Sequence, residues 1–532
     1  MTSQNYATVL PVEIWRECFM LLGVTEHKKL AKTCRFFHDV CLAFIFKSIT
    51  LSSQIAFYKY SAPQEITRQL EKLTNDIGLF TKLAMSPQYA PHVRKCTLRY
   101  SLRLSTSTVK DVAKLAKDAY ESFIQAFVKC IPRLVNVQEI AIGCMKKMDK
   151  RVLAVLATLP HVEKLSLTSV RFGVHQLKSQ IKVKKLWIRN SMSDANPNKA
   201  AKRLELFSAE HLQELSVSSR AYAPKIFLAL TNQGPLKNLV CLAFDLNSTN
   251  LDVLYPFLAM CPNIESIRVD FGSYNEVKHI AFPSLPRSTI PLLRSFSGQD
   301  SIAKIFLPGR PVKKVSLVQF RRHNDRDCSE MKDMMPYFLR STGPVIDLAV
   351  ASLMCTPELM ALLAAHLPDL TRLKLGLSCL KVFPAENPHR HQLEQVKATE
   401  LVAHDPGSVA SHSSDVMLPV YAHAVYMTLL HWTAHKRIVL PRSLETLHLV
   451  DEFSFMSFQL ESDLDDDSTD RNTQEGSYTF AMAESIFDAV SLQYPALQRL
   501  IVGSVEDGME WYKSAMGKWE LLTNRQYGRY FI

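Results

Sequence analysis

Glycine is scarce, with 16 residues among 532. Loops that close the backbone around a phosphate need it, and no glycine-rich nucleotide loop, Gly-x-Ser-x-Gly elbow or kinase signature occurs. Long apolar runs are also missing. The most apolar stretch, ASLMCTPELMALLAAHL at 351–367, is interrupted by Pro357 and Glu358 and is too short and polar to span a bilayer. The opening residues, MTSQNYATVL, lack the basic-then-apolar order of a secretory signal. The eleven cysteines are odd in number, scattered and without Cys-x-x-Cys spacing, which argues against a disulfide scaffold or a paired-cysteine zinc site. A reducing setting, cytoplasmic or nuclear, fits that usage. The best metal candidates are His389 with His391 and His431 with His435. No Glu follows the first His as in zinc proteases and no further ligand adjoins, so these read as ordinary surface or packed histidines. Cys34 reads as a half-buried interface cysteine rather than a nucleophile. The expectation is a chain that is not an enzyme, with no catalytic residues, no metal and no cofactor.

What is present is an ordered composition, 47% hydrophobic and 21% charged, with a net charge of +12 that favours acidic partners. One hexamer recurs: apolar, two variable, apolar, variable, apolar. It occurs as VRKCTL (93), VQEIAI (137), VEKLSL (162), VKKLWI (183), LQELSV (212), LVCLAF (239) and IESIRV (264). It continues as VKKVSL (312), VIDLAV (345), LTRLKL (370), LETLHL (444) and LQRLIV (497), while LLRSFS (292) reads as a degraded copy. From 137 to 264 the starts lie 25, 21, 29, 27 and 25 residues apart. The last two apolar positions share a pleat face, so each hexamer predicts a strand. Helical stretches such as SFIQAFVKC, VLAVLAT and PELMALLAAHL precede many copies, followed by a short break that often holds proline. Helix, break and short strand in about 20–30 residues is the unit of a leucine-rich-repeat-like solenoid. The fold class expected is α/β, a small helical N-terminal domain followed by one continuous curved αβ solenoid. The expected boundaries are 1–50 for the helical domain, 51–90 for a helical linker, 91–505 for the solenoid and 506–532 for a C-terminal cap bearing Trp511 and Trp519. Loop insertions are expected near 404–415 and 461–476, the latter strongly acidic.

In the first fifty residues, Pro11 suits the first turn of a helix, and Ile14, Cys18, Leu21 and Leu22 recur at helical spacing, broadened by Phe19. A second segment, 27–46, puts Leu30, Cys34, Phe37 and Cys41 on one face. That is more apolar surface than two or three short helices hide, so an exposed docking patch is expected. The order Leu10-Pro11-x-Glu13-Ile14, then Phe19 and Leu22, then Leu30, Thr33-Cys34-Arg35 and a closing Phe46 resembles the F-box, with the downstream array matching the F-box–leucine-rich-repeat architecture. The likeness is greatest to fungal F-box proteins. It implies a three-helix unit that binds the Skp adaptor and through it a cullin–RING ubiquitin ligase. Carried over by position, the adaptor contacts would be Leu10, Pro11, Ile14, Phe19, Leu22, Leu30, Cys34 and Phe37. His27 stands where the family often has Leu, predicting a weaker stripe there. Lys28, Lys29, Lys32 and Arg35 would steer toward an acidic adaptor.

In such an array the third and fifth residues of each hexamer face the concave surface. The basic members are Lys95, Lys164, Lys185, Arg268, Lys314, Arg372, Lys374 and Arg499, against Glu139, Glu214 and Asp347, with Trp187 and His448 alongside. Eight against three exceeds the chain-wide 63 against 51. Lys164, Lys185, Trp187, Arg268, Lys314, Arg372, Lys374 and Arg499 are therefore the candidate contacts to a protein substrate, acidic or phosphorylated. The reading is the substrate-recognition subunit of a Skp–cullin–F-box ubiquitin ligase. A ligase-independent scaffold and a basic solenoid that binds nucleic acid stay open as alternatives, the second disfavoured by few interleaved aromatics.

Overall fold

The computed structural model describes residues 10–57, 63–104, 110–143, 148–172, 176–189, 204–219, 221–246, 251–270, 284–318, 328–353, 356–377, 429–451, 480–503 and 509–522. The chain divides into two compact units, Met1–Ile264 and Glu265–Ile532. Both are α/β. The expected insertions near 404–415 and 461–476, and the His389–His391 pair, lie outside the described residues.

The first unit begins with helices α1 (Val12–Met20), α2 (Val24–Leu30) and α3 (Arg35–Ile45). Pro11 starts α1 from an extended backbone, and its carbonyl accepts the Ile14 and Trp15 N–H groups. Cys34 caps α3, its Sγ accepting the Phe37 N–H at 3.4 Å. The chain then runs directly into strand β1 (Ser48–Phe57), which pairs in parallel with β2 (Lys95–Leu104), Ser48 opposite Lys95. This corrects the expected boundaries. Residues 51–90 are not a helical linker but the rest of β1 followed by helix α4 (Pro63–Met85), so the strand array starts at Ser48 rather than near 91. FKSITL, 46–51, itself fits the hexamer, with Phe46, Ile49 and Leu51 apolar. Its overlap with the end of the helical pattern hid it.

Helix α5 (Lys110–Cys130), β3 (Glu139–Gly143), α6 (Lys150–Leu156), β4 (Lys164–Thr168) and β5 (Gln176–Ile181) follow. Then come β6 (Lys185–Arg189), β7 (Glu205–Phe207), β8 (Glu214–Ser218), α7 (Ala223–Thr231), β9 (Cys241–Asp245) and α8 (Leu251–Ala259). The main strands pair in the order β1-β2-β3-β4-β6-β8-β9, every pair parallel. β5 and β7 form a separate two-stranded parallel sheet. The second unit holds β10 (Ser266–Asp270), β11 (Ser295–Gly298), α9 (Asp300–Phe306), β12 (Lys314–Leu317), α10 (Cys328–Leu339) and β13 (Asp347–Leu353). It ends with α11 (Pro357–His366), β14 (Arg372–Leu377), β15 (Thr446–Asp451), α12 (Phe480–Gln493), β16 (Arg499–Val502), β17 (Met509–Lys513) and β18 (Trp519–Leu522). β10 to β16 pair in sequence, all parallel, and β16-β17-β18 are antiparallel.

The hexamer is legible in the parallel joints of the main strands, though not in the β5–β7 pair or the C-terminal antiparallel strands. Its second residue offers a carbonyl that accepts two successive N–H groups of the next copy. Gln138 and Glu139 both donate to Arg94, Glu163 and Lys164 to Gln138, Lys184 and Lys185 to Glu163. Ile346 and Asp347 do so to Lys313, and Thr371 and Arg372 to Ile346. The fourth and sixth residues point inward: Leu165, Leu167, Leu186, Ile188, Leu215 and Val217 are at most 1% exposed. Each such side chain contributes roughly 1.5–3 kcal/mol. Helices of neighbouring repeats pack on one another, as where Phe227 of α7 stacks on Phe257 of α8 at 4.5 Å.

The copy at 292 also needs correcting. β11 shows its frame to be LRSFSG from Leu293, one residue later, with Leu293 and Phe296 fully buried. Gly298 takes the last apolar position because a Cβ there would meet the Phe296 ring at 3.0 Å and the Val269 carbonyl at 3.3 Å.

No sequence pattern marks Arg310, yet it is fully buried in the second unit. Its guanidinium donates to six backbone carbonyls: those of Leu285, Pro286, Thr289, Ile305, Phe306 and Pro308. Three of these lie at or just beyond the C-terminal end of α9, where the helix dipole favours a cation. Burial pulls its pKa down to about 10, so it stays charged at neutral pH. Arg310→Met is expected to leave these carbonyls unpaired and lower unfolding free energy by about 3 kcal/mol, read as an earlier urea midpoint. An unchanged midpoint would show that water replaces the side chain.

Candidate functional site

The helical unit has a core of its own. Phe19, Val40 and Cys41 are buried, with Val12, Trp15, Leu30, Ala31, Phe36, Phe37, Phe44 and Ile45 packed around them. Phe19 sits at the centre, its ring 5.9 Å from Trp15, 5.4 Å from Phe37 and 6.4 Å from Phe44. The pairs of Phe19 with Phe37 and Phe44 cross between the helices and hold α1 against α3. His27 is not a weak point in an exposed stripe. It is buried, stacks on Phe44 at 4.8 Å, and its Nε2 lies 2.8 Å from the Phe19 carbonyl at the end of α1. Below this unit Phe46 stacks on Tyr89 at 4.7 Å, tying the end of α3 to the turn before β2.

The eight residues expected at an adaptor surface therefore separate. Leu10, Pro11, Ile14 and Leu22 are exposed. Leu30 and Phe37 are half-buried against the core. Cys34 is exposed rather than half-buried and serves as a helix cap. Phe19, only 4% exposed, is the core itself and is no contact residue. The sequence pattern could not separate these roles, because a stripe broadened by an aromatic looks the same whichever side faces a neighbour. Exposed alongside the first group are Cys18, Met20, Leu21 and Val24. Ile14, Cys18 and Leu21 follow one another at i, i+4 and i+7, so they share a helix face. Met20 and Val24 escaped the periodic reading because the helix stops and Gly23 begins the next one. At 45%, 62% and 50% exposure, Ile14, Leu21 and Val24 leave an apolar ridge that no described residue covers. Exposed Lys28, Lys29, Lys32 and Arg35 lie on α2, the following turn and the start of α3.

The strand face departs from a uniformly basic surface. Lys164 lies 3.9 Å from Glu139, and Lys185 lies 3.3 Å from Glu214. Trp187 donates its indole N–H to Glu214 at 2.6 Å, with Lys164 Nζ 3.9 Å over its ring. Trp187 is thus a half-buried clamp between strands, not a free aromatic platform. Arg268 pairs with Asp270 at 3.4 Å. Arg499 makes a bidentate contact with Glu510 of β17, a buried acid that the hexamer pattern cannot reveal. Lys314 and Arg372 share the carboxylate of Asp347, at 3.8 and 3.2 Å. Lys374 is half-buried, and burial, then Lys314, pull its ammonium down to about 8. His448, in register with Lys374, is pulled to about 3 by burial and then by Lys374, against a contact to the Gly503 carbonyl at 3.2 Å.

Trp511 and Trp519 of the C-terminal hairpin are buried, 4.9 and 5.9 Å from Phe487 of α12. The rings of His431 and His435 lie tilted to one another, 4.0 Å apart, and the His435 Nδ1 contacts the His431 carbonyl. Among the described residues no group of three or more metal-ligating side chains gathers, and no helix is long and apolar enough to cross a membrane.

Comparison with known proteins adds little. No family model matches the chain, and no curated protein does. Among solved structures, a chain of the Rad7 and Elc1 complex in yeast matches 70% of this chain and 89% of its own length, at 13% identity and a TM-score of 0.31. A likeness that slight carries no weight for function.

His448 supplies a pH signature. Its ordinary pKa of 6.5 falls to about 3 in the fold, so the folded chain refuses a proton that the unfolded chain accepts. Its contribution is present above about pH 6.5 and lost as pH falls toward 3. Between about pH 7 and about pH 5 the wild-type thermal midpoint is expected to fall about 2–4 °C further than that of His448→Gln. Equal falls would remove His448 as the source.

Proposed function

We propose that the chain is the substrate-recognition subunit of a Skp–cullin–F-box type ubiquitin ligase. The N-terminal helical unit docks on the Skp adaptor and the strand face holds a protein target. The chain itself performs no bond chemistry; it raises the local concentration of target lysines near the charged conjugating enzyme. Work of this kind belongs to the cytoplasm or nucleus.

The single observation that carries this reading is the uncovered ridge of Leu10, Ile14, Leu21, Leu22 and Val24 beside a core that is already closed. A unit that stabilises itself through Phe19, Val40 and Cys41 has no internal need for that ridge. Exposed apolar side chains on consecutive short helices, with exposed Lys28, Lys29 and Lys32 in the same unit, suit an acidic helical partner. The F-box resemblance names the partner.

Co-expression with a Skp adaptor tests it. The wild-type chain is expected to copurify with the adaptor, and the Leu10→Asp/Ile14→Asp variant to lose it with its melting unchanged, since these side chains are 43% and 45% exposed. Phe19→Ala is expected to lose the adaptor for a different reason, destabilising the helical unit by about 3–5 kcal/mol. A wild-type chain that captures no adaptor would sink the ligase reading and leave a scaffold, and capture that survives both aspartates would remove this ridge as the docking surface.

A further inference from the structure

Between α2 and α3 the chain leaves the helix for one turn, and the charged residues around that break are of one sign. HKKLAKTCRFFH, 27–38, holds Lys28, Lys29, Lys32 and Arg35 and no aspartate or glutamate. All four cations are exposed, and among the described residues none of them is in an ion pair. The nearest acids in sequence, Glu26 and Asp39, lie outside the stretch, Asp39 beside His38 at 3.1 Å. Thr33 stands among the cations. It is exposed, and the next residue, Cys34, is extended at φ −156° and ψ 164° before α3 begins. The Thr33 hydroxyl donates to the Leu30 carbonyl at 2.7 Å, which also accepts the Thr33 N–H at 3.0 Å. The turn is therefore closed by the backbone even without the hydroxyl. Thr25, the other hydroxyl between Val12 and Ile45, lies inside α2 beside Glu26.

We propose that Thr33 is a phosphorylation site for a protein kinase that reads basic residues, and that its phosphate slows docking of the helical unit on an acidic partner. A kinase takes its acceptor from exposed, non-helical chain and selects it by the charges alongside. Lysines one, four and five residues before Thr33 and an arginine two residues after it supply that pattern. The Thr33 oxygen attacks the γ-phosphorus of ATP, its proton passes to the catalytic Asp of the kinase, and the bond to ADP breaks. The product carries about −1.5 to −2 at neutral pH, so about half of the four positive charges around it are cancelled. Those charges draw an acidic partner in, whereas the apolar ridge of Ile14, Leu21 and Val24 holds it once seated. Association therefore slows and dissociation does not change. The Thr33 N–H keeps its place on Leu30, so α2 and α3 stay as they are. The effect on docking rests on the receptor reading; the acceptor site stands apart from it.

The test incubates the full chain with magnesium ATP and the catalytic subunit of cAMP-dependent protein kinase, which reads basic residues, with an acid-directed casein kinase as the control. Mass spectrometry is expected to find a phosphoryl group on Thr33 with the first kinase, none there with the second, and none at this position in Thr33→Ala. Lys28→Ala/Lys29→Ala is expected to slow the modification about tenfold or more. The phosphorylated chain is expected to associate with the Skp adaptor about tenfold more slowly at low salt, with its dissociation rate and thermal midpoint kept and the difference closing at high salt. Thr33 left unmodified by the first kinase, or modified as fast without Lys28 and Lys29, would overturn the site. Equal association of the two forms, or a difference that high salt leaves open, would overturn the effect on docking. An unmodified chain that captures no adaptor strikes the ligase reading, and the mass measurement still decides the site.

Discussion

Within each unit the array depends on one recurring bond arrangement, the carbonyl at the second position of a hexamer accepting two successive N–H groups from the next copy. Lys47, Arg94, Gln138, Glu163, Lys184 and Gln213 do this in the first unit, and Glu265, Arg294, Lys313, Ile346, Thr371 and Glu445 in the second. Because the arrangement joins the same two positions each time, it sets the register of each parallel pair, whatever the length of the intervening helix. Insertions between copies are therefore tolerated: 21 residues separate the copies at 162 and 183, and 74 separate those at 370 and 444. Register then does the rest. Fourth and sixth residues line up as a buried seam, while third and fifth residues line up as rows on the opposite face.

Rows of aligned side chains make charge a property of neighbours rather than of residues. Lys164 and Lys185 face each other in register, a repulsive pair that Glu139 on one side and Glu214 on the other relieve. Arg372 and Lys314 are two strands apart and meet over Asp347. A count of basic against acidic positions treats these situations as equal. The structure does not, since one is neutral and the other keeps a surplus.

The helical unit illustrates a second competition. Phe19, Leu30 and Phe37 and the ridge residues all sit at helical spacing, and each is apolar enough to be buried. Packing of α1 on α3 consumes the aromatic set first, because large rings bury most area and pair edge to face across the helices. What remains outside is the aliphatic set that follows Pro11. His27 joins the buried group by contacting the Phe19 carbonyl with one nitrogen and stacking its ring, a compromise that Leu would not need.

Sequence alone determined the strands of the array, their spacing and the alternation of buried and presented positions, because those follow from local periodicity and every copy repeats it. It also marked the N-terminal helices through Pro11 and the apolar spacing behind it. It misplaced the start of the array, since Phe46 ends a helical stripe and begins a hexamer at once. It missed the frame at Leu293, where glycine replaces the last apolar residue to make room for a ring. Only tertiary structure decided which side of α1 is core, which lysines have a carboxylate within reach, that Arg310 is stitched to six carbonyls, and that Glu510 answers Arg499. Those outcomes join residues from different elements of the chain, and no local period carries information about a partner that folding alone brings near.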